Sequence, residues 1–149
     1  MVINKKQLLH TTLNGIVAGL VLTLFFKMIQ SWTDYKVYTL LLNIDYIPFA
    51  NQFQFPEIVE VSFHLVVSIV LSFFLVMLIR RFQTKSTVKI IVLCVCISFL
   101  IGALYFPSTL LSDRTPPITS LPSLFYWMIG HVLYGYILGI LLSNRYLTK

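Results

Sequence analysis

Charge is scarce in this chain, and acid is scarcest: five Asp and Glu stand against eleven Lys and Arg in 149 residues, with 11% of the chain charged and 58% apolar. A soluble domain of this length needs far more charge to cover its surface, which excludes the ordinary globular classes. Cysteine is limited to Cys94 and Cys96, two apart in one apolar run. A helix turns such neighbours to different sides, so they cannot bridge each other, and packing is their expected role. Catalytic signatures are missing too: there is no glycine-rich phosphate loop, no G-x-S-x-G and no H-E-x-x-H. Ser108, Ser112 and Asp113 have nothing nearby in sequence to orient them as a hydrolase would require. The expectation is a protein that is not an enzyme and carries no cofactor.

Proline and glycine are each absent where the other is found. All six glycines (Gly15, Gly19, Gly102, Gly130, Gly135, Gly139) fall inside apolar runs, and all six prolines (Pro48, Pro56, Pro107, Pro116, Pro117, Pro122) fall in two connections or at their junctions. Glycine used this way serves close helix contact, and proline begins or ends helices.

What the chain has in abundance is long apolar sequence. Four runs, roughly 8–29, 58–79, 88–106 and 121–142, each approach the ~20 residues a helix needs to cross a bilayer. The predicted fold is all-α, one four-helix transmembrane bundle occupying residues 1–149, with the lipid bilayer as its first partner. The lysines before the first run do not mark a cleaved signal, because the run is too long and Phe25 to Trp32 lack a small-x-small site. Lys5, Lys6, Arg80, Arg81, Lys85, Lys89, Arg145 and Lys149 flank one side of the runs with no acid among them. Lys27, Lys36 and Arg114 share the other side with all five acids, Asp34, Asp45, Glu57, Glu60 and Asp113. The positive-inside rule then makes both termini cytoplasmic. Basic residues at span ends meet anionic headgroups, so the net charge of +6 implies no nucleic-acid partner.

The short charged stretch 80–87 joins the second and third spans as an antiparallel hairpin. The outer segment 30–57 is aromatic and apolar, with Trp32, Tyr35, Tyr38, Tyr46, Phe49, Phe53 and Phe55 among few charges. It either lies at the interface as a short helix or caps the bundle from outside.

Each span carries a stripe of small or polar residues at fourfold spacing, which places them on one face. The stripes are Thr11, Gly15, Gly19, Thr23 and Lys27; Glu60, His64, Ser68 and Ser72; Cys94, Ser98 and Gly102; and His131, Gly135, Gly139 and Ser143. Lipid supplies no hydrophobic force between spans, so close backbone approach at Gly15, Gly19, Gly102, Gly135 and Gly139 is expected to pack the bundle. The same glycine pairs suit a homo-oligomer or another membrane protein.

His64 falls ~9 Å and His131 ~15 Å from the outer ends of their runs at the helical rise. With Lys27 and Glu60 near the outer ends of theirs, these four residues form an expected polar cluster in the outer half of the bundle. Two readings stand: a proton-sensitive pocket, or neutral imidazoles that fix helix register. Zinc fits poorly, because the ligands occur singly on separate spans.

These residues also give a resemblance. Gly15, Gly19 and Lys27 in the first span, His64 to Ser68 in the second, and Phe106-Pro107, Pro116-Pro117, Leu121-Pro122 and Gly130-His131 make the chain similar to the YagU-like family of small bacterial inner-membrane proteins. The resemblance covers about half the chain and implies a multi-pass protein of the bacterial cytoplasmic (inner) membrane, with the name borne by enteric members pointing to acid tolerance. The first outer segment is differently aromatic, and a long charged carboxyl tail is lacking. The expected role is envelope or acid stress, with a noncatalytic scaffold or accessory subunit of a transport complex as the alternative.

Overall fold

A computed structural model of the chain describes residues 5–45, 47, 53 and 55–146. Tyr46, Pro48, Phe49 and Lys149, named above, lie outside the described residues. The elements in order are α1 (Lys5–Thr33), α2 (Val37–Leu42), α3 (Glu57–Arg81), α4 (Thr87–Tyr105), a 3-10 helix (Phe106–Leu111) and α5 (Leu121–Tyr146), and the described residues contain no strand. Four helical stretches are long and apolar enough to cross a membrane, the third formed by α4 and its 3-10 extension together. Their outward side chains are large and apolar, Leu24, Val70 and Phe125 each about 60% exposed, as a hydrocarbon solvent allows.

The helix ends follow from local chemistry. α3 begins after Pro56 with Glu57 and Glu60 in its first turn and ends with Arg80 and Arg81 in its last, matching the macrodipole at both ends. It closes through Gln83 at φ 49°, with Thr84 N–H donating to the Ile79 carbonyl at 3.1 Å, a left-handed cap built without glycine. Asp34, at φ 60°, ends α1 in the same way, its N–H donating to Gln30 O at 3.0 Å. The α-helix of the third span ends at Tyr105, just ahead of Pro107, and the apolar stretch runs on as a 3-10 helix in whose first turn the missing proline N–H costs nothing.

Around the bundle the helices stand in the order α3, α1, α5, α4, with the strongest packing between α4 and α5 and then between α1 and α3. Both of these contacts are built on glycine. A Cβ at Gly135 would meet the Cys94 carbonyl oxygen and the Val95 Cα at 2.7 Å, one at Gly139 the Ile91 Cα at 2.8 Å, and one at Gly15 the Ile69 Cα at 2.9 Å. α3 and α4, although joined by a short turn, scarcely touch. The hairpin exists in the chain, but its two helices splay and leave the bundle open between them.

α2 resolves the role of the outer segment. Val37 and Leu40 are fully buried and Leu41 and Leu42 nearly so, against α1, α3 and α5, so this short helix caps the bundle. Tyr105 Oη fixes its end by donating to the Asn43 carbonyl at 2.9 Å.

Candidate functional site

The splay of α3 from α4 encloses a cavity of about 420 Å³, within the size range of small-molecule sites. Its back wall is Leu22 of α1 with Trp127, His131 and Tyr134 of α5. Its sides are the α3 face from Glu60 to Leu71 and Ile101 and Tyr105 of α4. Leu41 to Ile44, Ile47 and Phe55 form the roof. Val66 and Val67 of α3, more than half exposed, and the partly exposed Ile101 of α4 line the cavity, so its opening is on the flank of the bundle between these helices.

The back wall is closely packed. Trp127, 1% exposed, stacks on Phe26 at 5.1 Å with an interplanar angle of 6°, and its indole N–H donates to the Gly102 carbonyl at 2.9 Å. His131 lies 4.4 Å from the Trp127 ring, and its Nδ1 is 2.9 Å from the Trp127 carbonyl oxygen. A carbonyl only accepts, so Nδ1 carries the proton in the neutral ring. Gly102 makes the room: a Cβ there would meet the imidazole Cγ at 2.7 Å. Gly130 likewise admits the Phe26 ring.

Below the cavity the bundle is sealed. Ser68 Oγ donates to Gly15 O at 2.7 Å and lies 2.8 Å from Tyr134 Oη, and Ser72 Oγ donates to Thr11 O at 3.0 Å. Leu75, Ile79, Ile90, Leu138 and Leu142 then fill the half toward Arg80 with almost no exposure. The cavity is blind.

Of the four residues expected to cluster, His64, His131 and Glu60 line this one cavity and Lys27 does not. Lys27 pairs with Glu57 at 2.6 Å, both side chains more than half exposed, and Tyr38 Oη donates to the same carboxylate at 2.6 Å. Burial, then that hydrogen bond, raises the Tyr38 phenol above its ordinary range. Glu60, with a side chain only 8% exposed, is held by Arg114 at 3.1 Å, and Arg114 also reaches Asp45 at 3.6 Å. Ser112 Oγ donates to Asp45 at 2.5 Å, so the second outer loop is tied to the roof. Sequence reasoning missed Asn43, Tyr134, Trp127 and Arg114. Tyr134 and Trp127 flank His131 at helical spacing, a signal that was available; Asn43 and Arg114 arrive from loops with none.

Among the described residues, two polar groups of the lining are unmatched. Asn43 Nδ2 and His64 Nε2 are buried and have no hydrogen-bond partner at ordinary geometry, although the His64 ring also faces the backbone of Gly19 in α1. Asn43 is 1% exposed and otherwise fixed, its Oδ1 accepting from Asp45 N–H at 3.4 Å. A buried donor left alone costs about 1–3 kcal/mol, which makes these the groups a bound molecule would satisfy. No set of three His, Cys, Asp or Glu residues able to hold a metal ion occurs among the described residues.

Comparison with protein-family models, with curated proteins and with solved structures gives no match to this chain.

Proposed function

We propose that this multi-pass membrane protein lies in the cytoplasmic membrane of a bacterium, both termini inside, and binds a small membrane-dissolved molecule between α3 and α4. The observation that carries the reading is the blind, laterally open cavity with two unpartnered polar groups in its lining. Charge asymmetry supports the orientation and, with it, a cavity in the outer half of the bilayer. The seal below Ser68 and Tyr134 speaks against a channel, which needs a polar path to the other side. It speaks for binding over catalysis that Ser68 is engaged by a carbonyl and a phenol, with Glu60 engaged by Arg114.

Membership of the YagU-like family, and with it a role in envelope or acid stress, belongs to the same proposal through His64, Gly130 and His131. One observation favours proton sensitivity as a second reading: two imidazoles face one apolar cavity, and protonating either adds a cation that Glu60, already paired, does not neutralise. A noncatalytic scaffold or accessory subunit is the alternative outcome.

Native mass spectrometry of the protein released from mild detergent tests the reading, with Val67→Phe filling the opening. The expected result is one discrete adduct on the original chain and none on the variant. Adducts identical in number and mass on both would refute it. Growth of a strain carrying His64→Gln and His131→Gln, scored from about pH 4 to 7 around the unperturbed imidazole value, separates the acid-stress reading from the scaffold: an unchanged profile favours the scaffold.

A further inference from the structure

Resting on the binding reading above, we infer that the ligand is an uncharged single-chain amphipath with a hydroxyl head, the hydroxyl set between Asn43 and His64 and the chain lying toward Val67.

Charge decides first. Among the described residues that line the cavity there is no Lys or Arg, and the one acid, Glu60, is already balanced by Arg114. An anionic head would be desolvated against apolar walls with no free cation to receive it, and a cationic head would meet only a carboxylate already engaged. A neutral head escapes both costs.

Hydrogen bonding decides next. Asn43 Nδ2 needs an acceptor. His64 Nε2 needs a donor in one tautomer and an acceptor in the other. A hydroxyl is the smallest group that serves Asn43 and either form of His64, because it both donates and accepts; a ketone or ester carbonyl only accepts. Asn43 is held from its backbone by Tyr105 and from its side chain by Asp45, so the donor is placed before any ligand arrives.

Size decides the chain. About 420 Å³ lies near the lower end of the small-molecule range, suited to one chain, and the opening beside Val66 and Val67 admits it sideways from the bilayer.

Trp127 provides the readout, since the chain has two tryptophans and Trp32 is 74% exposed. In Trp32→Phe protein in lipid nanodiscs, Trp127 fluorescence is titrated with chain-brominated monoacylglycerol and with chain-brominated lysophosphatidylglycerol. The expected result is saturable quenching by the monoacylglycerol at a concentration at least tenfold below that needed for the phosphate-bearing compound, abolished by Val67→Phe. Asn43→Asp, which replaces the donor with an acceptor, is expected to weaken the monoacylglycerol tenfold or more. Equal quenching by both compounds, still abolished by Val67→Phe, overturns the head assignment and leaves the cavity as a binding site. Quenching by neither, or quenching indifferent to Val67→Phe, overturns the binding reading itself.

Discussion

Six glycines show how the same residue does different work at each helix contact. At Gly135 the neighbours of an added Cβ are backbone atoms of α4, whereas at Gly19 they are side-chain atoms of Leu65 and Ser68 at 2.9 Å. Backbone cannot rotate away and side chains can. Gly135→Ala is therefore expected to destabilise the protein by about 1–3 kcal/mol, the usual range for overpacking, and Gly19→Ala by distinctly less, measured by thermal unfolding in one detergent. Tyr38 offers a titration at the same scale. Burial and the bond to Glu57 raise its folded value, so this contact contributes its full stability below the ordinary phenol value of about 10 and loses it as pH rises further. Spectrophotometric titration of wild type against Tyr38→Phe is expected to show one phenol ionising late; coincident curves would refute the contact.

At the scale of elements, the spans were legible because a run of apolar residues has one physical meaning in a chain this poor in charge. The small-residue stripes were legible too, and residues such as Ser68, Ser72 and Gly135 take their places between helices. The open seam was not legible. Nothing in 80–87 says whether its flanking helices pack or splay; that depends on α1 and α5 outcompeting each of them for the other. Nor could the pairing of acids be read, because Glu57 and Glu60 lie less than one turn apart and only the loop carrying Arg114 decides which takes which cation. Cysteine pairs in a Cys94→Ala, Cys96→Ala background test the seam. A pair at Thr11 and Ser72, where Ser72 Oγ is 3.0 Å from Thr11 O, is expected to oxidise readily to a disulfide, and a pair at Val67 and Ile101, facing the cavity from α3 and α4, is expected not to.

For the whole molecule, orientation and openness together define the account. An impermeant thiol reagent applied to intact cells is expected to label a cysteine placed at Pro116 and to miss one placed at Lys5; the reverse pattern would put the cavity in the inner leaflet. The central claim is the gap between two consecutive spans, and it is met most directly by a crystal structure of the protein grown from a lipid phase. The account predicts α3 packed on α1, α4 packed on α5, and an elongated uncharged amphipath between α3 and α4 with its polar end at Asn43. α3 and α4 packed side by side along their length, with Asn43 Nδ2 and His64 Nε2 hydrogen-bonded to each other or to other protein atoms, would contradict it.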